Sequence, residues 1–149
     1  MKLESIAFEN GEMIPEKFTC DGEGVNPSLS LLEIPPEARS LALVVDDPDS
    51  PSGTFVHWTV WNIAPDTEEI RENSVPVDAT EGKTDFGQIG FGGPCPHTGL
   101  HRYFFRLYAL SSPLDLPSGS SREELRNAME EKIIAEAEFM GKYEGANNS

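Results

Sequence analysis

An all-β domain with a minor helical part is the fold class this sequence predicts, and three observations carry the prediction. Thirteen glycines and 12 prolines among 149 residues punctuate short runs rich in β-branched and aromatic side chains, the spacing expected of strands joined by turns. The run Ser40 to Asp46 is almost continuously apolar and of strand length, as in a strand covered on both faces. A capped helical signature stands out at one place, after Ser121.

Taken in order, Ser5 to Phe8 and Leu29 to Leu32 read as short strands around the turn-rich stretch Cys20 to Pro27. Ser40 to Asp46, Phe55 to Ile63 and Tyr103 to Leu110 read as central strands. Between the last two, Ala64 to Gly90 is polar, acidic and without apolar periodicity, so it predicts a long excursion with a short strand near Glu69 to Glu72. Ser111 to Ser120, with Pro113, Pro117 and Gly119, is a second loop. Ser121 followed by Glu124 fits a capping box, and Leu125, Ala128, Met129 and Ile133 share one helical face. Beyond it Ile133, Ala135, Ala137 and Phe139 alternate with Lys132, Glu136 and Glu138, which fits an edge strand as well as a continued helix. The expectation is helix to about residue 134, then strand, then a frayed tail from Gly145 to Ser149. No internal repeat is present, strand order is not readable, and residues 1–149 read as one domain.

Eleven basic against 26 acidic side chains give a formal charge of −15, so nucleic acid and anionic membrane surfaces are expected to repel the molecule as a whole, and any anion it binds must be captured by local groups. No apolar run approaches the ~20 residues of a membrane span, and Met1 to Glu9 holds no signal-peptide core, so a cytoplasmic protein is expected. Cys20 and Cys95 define neither a disulfide scaffold nor a zinc motif, and free thiols are the expectation in that compartment. The chain has no G-x-S-x-G elbow, no H-E-x-x-H and no C-x-x-C; no metal or cofactor is expected.

Two corners concentrate the chemistry. In the first, Asp47-Pro48-Asp49-Ser50-Pro51 precedes a strand carrying His57. Pro48 biases Asp47 toward an extended conformation, so both carboxylates are expected on one side; the competing reading is a turn in which each aspartate caps nearby N–H groups. Ser50-Pro51 is a candidate cis bond. His57 shares strand parity with Phe55 and Thr59. In the second corner, Gly92-Gly93-Pro94-Cys95-Pro96 precedes His101-Arg102-Tyr103. His101 and Tyr103 are two apart and share a face, entered through a turn whose N–H groups are expected to be free, a donor-rich setting for a phosphate or carboxylate. Arg102 points the other way and is assigned structural support, as a guanidinium beneath the pocket pairing with Asp47 or Asp49.

These motifs in this order resemble the phosphatidylethanolamine-binding protein family, also called the Raf kinase inhibitor protein family. Phe18-Thr19-Cys20-Asp21-Gly22 and Asn26-Pro27-Ser28-Leu29 are similar to its prokaryotic N-terminal segment, and Ala135 to Glu138 through Gly141-Lys142-Tyr143 to its C-terminal strand. The resemblance implies an antiparallel β-sandwich with Greek-key connections. It implies that Asp47, Asp49, His57, His101 and Tyr103 line a small anion pocket, with Gly93 and Pro94 in the turn beside it. It also implies a homodimer and brings Cys20 and Cys95 toward one end of the sandwich, where a redox-sensitive disulfide is the alternative to two free thiols if their Cα atoms lie within about 6 Å. Phe91 stands where many members have Tyr, and His97 where many prokaryotic members have a second Pro, so the rim is expected to differ.

Three functions follow as expectations. The first is a binding protein for phosphate, a phosphoethanolamine-like head group or a phosphorylated side chain. The aspartates would repel a bare phosphate unless they orient protonated imidazoles or meet a ligand cation, so a zwitterion suits the charges best. The second is an enzyme using an Asp-His pair or a His/Asp-bound metal, for which no nucleophile stands out. The third is a regulatory protein, since relatives in the family inhibit kinases or proteases; the acidic surface favours a basic partner.

Overall fold

Leu41, Leu43 and Val45 alternate with Ala42 and Val44 along strand β3 (Ser40–Asp47), and both sets are buried. That double burial fixes the architecture: a sheet hidden on both faces needs a covering layer on each side. The computed structural model describes residues 1–145, so the predicted tail lies outside the described residues apart from Gly145. One layer is a five-stranded antiparallel sheet in the order β6-β4-β3-β7-β8, built from β3, β4 (Phe55–Ile63), β6 (Thr80–Glu81), β7 (Leu100–Leu110) and β8 (Ile133–Glu144). The other is a three-stranded antiparallel sheet, β1-β2-β5, of Lys2–Glu4, Leu29–Leu32 and Glu69–Ile70.

Between the sheets Leu41, Leu43, Val45, Trp58, Phe105 and Leu107 meet Leu3, Leu29, Leu31 and Ile70. On the outer face Ala42, Val44 and Trp61 are covered by Leu114, Leu125 and Met129, the last two from helix α1 (Arg122–Met129). The predicted capping box is present, with the Ser121 hydroxyl accepting from Glu124 N–H and the Glu124 carboxylate accepting from Ser121 N–H. The antiparallel two-sheet architecture with one helix is therefore the one the sequence predicts.

Four local readings are corrected. The first strand is Lys2–Glu4, not Ser5 to Phe8, because the Ser5 hydroxyl accepts from Ala7 N–H and donates to Ser28 O, turning the chain so that Ile6 is exposed while Phe8 enters the core. The helix stops at Met129 rather than near 134: Glu131 adopts a positive φ of 69°, and from Ile133 the chain pairs with β7. Here the period-two pattern outweighs the helical one, since pairing along 11 residues of β7 offers more than one further turn. The strand Thr80–Glu81 inside the acidic excursion carries no apolar pattern that would reveal it, whereas Glu69–Ile70 falls within the predicted short strand. All peptide bonds among the described residues are trans, Ser50-Pro51 included.

Bulges re-aim two side chains of β4. Leu41 pairs Ile63 and Leu43 pairs Val60, leaving Asn62 as an extra residue in the left-handed region at φ 56°; its amide binds the Leu114 backbone in both directions. Val45 pairs Trp58 but Asp46 pairs Val56, so His57 has no partner on β3. Past this bulge parity breaks: Thr59, opposite Val44, lies on the outer face, while His57 and Phe55 stay together at the sheet's end with ring centroids 5.1 Å apart.

Candidate functional site

Asp47 ends β3, His57 lies near the start of β4, and His101 and Tyr103 begin β7, so three neighbouring strands deliver four polar side chains to one end of the sandwich. They line a cavity of about 280 Å³, whose walls also include Pro51, Phe55, Phe86, Cys95, Pro96 and Thr98. Ser50, Ser52 and His97 complete the rim. A larger groove of about 550 Å³ runs between β1 and β8, but its polar side chains are at the surface and none is buried. The smaller cavity is the better candidate because buried, hydrogen-bonded polar groups converge on it.

Asp47 is 3% exposed and both carboxylate oxygens are used: Oδ1 accepts Asp49 N–H at 2.8 Å and Oδ2 accepts His101 Nδ1–H at 2.7 Å. The other nitrogen of His101, Nε2, lies 3.0 Å from the Thr98 carbonyl. Both partners are acceptors, so the ring satisfies them fully only as an imidazolium with a proton on each nitrogen. Among the described residues lining the cavity there is no lysine and no arginine.

His57 is held differently. Its Nδ1–H donates to Gly92 O at 2.8 Å, while Gly92 N–H donates to His57 O at 2.8 Å. Burial lowers the His57 pKa below the ordinary imidazole value, against the opposing pull of the Gly92 carbonyl and the Asp47 charge. The neutral ring therefore keeps Nε2 as an acceptor. Burial first, and the Asp47 charge second, push the Tyr103 phenol well above its usual range, so it stays protonated and able to donate. The Tyr103 ring packs edge-on to His57 at 5.2 Å and near-parallel to His101 at 6.4 Å, which locks all three orientations.

Asp49 departs from expectation. It does not line the cavity; its carboxylate takes Arg102 Nε and Nη2, each at 2.8 Å, and Arg102 N–H at 2.9 Å. The Arg102 hydrogen bonds bring its pKa down to about 2. Residues two apart share a side only in an extended strand, and β3 ends at Asp47, so the two carboxylates part company. Arg102 accordingly supports Asp49 on the outer flank, half-exposed, and is not beneath the cavity. Gly93 and Pro94 stand behind the wall rather than in it. A Cβ on Gly93 would lie 2.7 Å from Phe18 O and 3.1 Å from Thr19 Cα, so glycine is what lets this turn press on the 18–20 segment. The turn's N–H groups are not all free, since Gly92 N–H is spent on His57 O.

The expectation of two free thiols is overturned: Cys20 and Cys95 form a disulfide with a Cα–Cα distance of 5.4 Å across 75 residues of sequence. The close approach at Gly93 and the hydrogen bond from Cys20 N–H to Pro94 O bring the two segments together, a proximity invisible to sequence spacing. Also unforeseen are Phe55 and Phe86, which give the cavity its apolar wall, and Asp46. Asp46 is buried on the outer face and paired with Arg106 at 3.1 Å and Arg122 at 3.4 Å. Its position next to Asp47 on a strand hinted at the opposite face; Phe86, in an aperiodic loop, left no such trace.

An antiparallel two-sheet sandwich with an Asp-His-Tyr cavity at one end of its larger sheet defines a class of ligand-binding fold. The family model for phosphatidylethanolamine-binding protein matches residues 4–144, and the chain belongs to that family. It is 46% identical over 148 residues to a UPF0098 protein of Methanothermobacter thermautotrophicus, covering 96% of this chain and 98% of that protein. It is 44% identical to a UPF0098 protein of Chlamydia muridarum, with 97% and 99% covered. Among solved structures, a phosphatidylethanolamine-binding protein homologue from Chlamydia trachomatis superposes with TM-score 0.93 at 42% identity, with 97% of both chains covered. Escherichia coli YbcL, described as a member of the mammalian family, gives TM-score 0.91 at 31% identity, covering 97% of this chain and 98% of that one. No helix among the described residues is long and apolar enough to cross a membrane.

Proposed function

We propose that the cavity binds a small zwitterionic phospho-ligand of the phosphoethanolamine type, and that the protein acts by presenting or sequestering such a group. The observation that carries this reading is the buried Asp47–His101 hydrogen bond inside an apolar-walled cavity lined by no lysine or arginine among the described residues. A bare phosphate dianion meets no lysine or arginine there, whereas a ligand carrying its own ammonium beside the phosphate brings part of the neutralising charge with it. Donors for the phosphate are the Tyr103 hydroxyl and, once it exchanges the Thr98 carbonyl for a ligand oxygen, His101 Nε2–H. The His57 Nε2 acceptor suits the ammonium. A phosphorylated side chain on a protein partner would use the same groups, which is the regulatory form of this reading. We read a binding protein rather than an enzyme because the cavity lining offers donors and an acceptor for a ligand while the sequence carries no nucleophile motif beside them.

Titration calorimetry of phosphoethanolamine, inorganic phosphate and ethanolamine against the native protein tests the proposal. Phosphoethanolamine is expected to bind most tightly, and His101→Ala to weaken it by about 1.5–3 kcal/mol, the range for hydrogen bonds to charged groups. Equal affinity for wild type and variant, or phosphate binding as tightly as phosphoethanolamine, would overturn it.

A further inference from the structure

The disulfide ties two segments of unequal security. On one side Cys20 follows Phe18 and Thr19, both buried, so that end of the bridge is anchored by packing. On the other side Pro94 is buried, but Cys95, His97, Thr98 and Gly99 are exposed. Cys95 and Thr98 line the candidate cavity. Both bridged cysteines are themselves exposed, unlike the sealed bridges of a structural core. Neither lies in a strand of either sheet. Neither cysteine belongs to either apolar cluster, so opening the bridge leaves those contacts in place.

We propose that Cys20–Cys95 is a thiol–disulfide exchange site, and that its redox state sets the order of the 95–99 wall of the cavity. A thiolate from a small thiol or a protein dithiol attacks one sulfur of the bridge between these exposed residues. A new sulfur–sulfur bond forms, the Cys20–Cys95 bond breaks, and the departing cysteine thiolate takes a proton from water. A second thiol of the reductant then displaces the remaining cysteine, leaving two protein thiols and one oxidised reductant; two electrons move in all. The Cys20 N–H bond to Pro94 O, at 3.1 Å, and the anchored 18–19 pair keep the thiols near one another, so reoxidation is equally direct. With the bridge open, the 95–99 stretch is held by weaker ties, among them a hydrogen bond between the Cys95 backbone and Tyr103 and the contact of Thr98 O with His101. The wall then loosens around the ring whose Nε2–H a ligand oxygen would take. This last coupling rests on the phospho-ligand reading; the exchange chemistry does not.

The test uses the full chain in three forms: oxidised, reduced under argon with dithiothreitol or reduced glutathione, and Cys20→Ser/Cys95→Ser. Alkylation and mass analysis should show both cysteines reduced while near-ultraviolet circular dichroism stays native; a bridge that resists until denaturant is added overturns the exchange site. Amide hydrogen exchange at 95–99 should rise at least tenfold in the reduced form with the β3 amides unchanged, and unchanged rates at 95–99 overturn the loosening. Should the double variant fail to fold, the reduced wild type carries the comparison. Phosphoethanolamine affinity should differ at least threefold between oxidised and reduced forms, and equal affinity overturns the coupling. If the bridge exchanges and the wall loosens but neither form binds phosphoethanolamine, the exchange site stands and the ligand reading fails.

Discussion

Replacing Asp47 with Asn keeps the shape of the side chain and removes one acceptor. The native carboxylate accepts Asp49 N–H at one oxygen and His101 Nδ1–H at the other, inside a site where Asp47 is 3% exposed. An amide turned either way sets its NH2 against one of these donors. One charge-assisted hydrogen bond is lost, about 1.5–3 kcal/mol, and the buried His101 ring loses its carboxylate partner, which raises the cost toward the about 3–5 kcal/mol of a broken buried pair. The expected loss for Asp47→Asn is thus about 2–4 kcal/mol. At a urea dependence of about 2 kcal/mol/M this moves the midpoint down by about 1–2 M. Asp49→Asn is the internal control: its partner Arg102 is half-exposed, and the loss should be about 1 kcal/mol or less. Urea unfolding at pH 7, followed by tryptophan fluorescence, measures both, and a cycle with His101→Ala should return a coupling above about 1 kcal/mol. A loss below about 0.5 kcal/mol for Asp47→Asn, or equal losses for the two aspartates, would refute the description of the buried pair.

Two further outcomes follow from named contacts. The pKa of folded His57 lies below the 6.5 of the free imidazole, so the unfolded chain binds the extra proton first; the His57 contribution is complete above about pH 6.5 and is lost as pH falls below it. Unfolding midpoints between about pH 7.5 and 5 should therefore fall more steeply for wild type than for His57→Gln, and parallel curves would contradict the assignment. A Cβ on Gly82 would crowd Thr59 Oγ1 and lie 2.7 Å from both Ser120 O and a Trp61 ring carbon. Gly82→Ala should accordingly cost about 1–3 kcal/mol through overpacking, measured as a drop in melting temperature; an unchanged melting temperature would show that the outer layer has slack.

Much of the site was legible because its residues sit on strands. The parity of His101 and Tyr103 placed them on one face, and the structure brings both to the cavity with Asp47 and His57. Parity also turned Arg102 outward, where Asp49 meets it. The same rule failed where its premise failed. The bulge at His57 separates it from Thr59, and the end of β3 at Asp47 sends Asp49 to the outer flank. A bulge depends on how the neighbouring strand registers, which one strand's own pattern does not contain.

By itself the sequence determined the strands with a strong apolar pattern, the capped start of α1, the strongly acidic charge, and the family resemblance. Those properties are local or additive: propensity, periodicity and charge are summed along the chain. Only the tertiary structure decided the sheet order, the apolar wall supplied by Phe86, the partition of two adjacent aspartates between two arginines and one histidine, and the bridge from Cys20 to Cys95. Each of these joins residues tens of positions apart. What brings them together is the packing of one layer on another, a free energy shared by the whole core rather than encoded in any one segment.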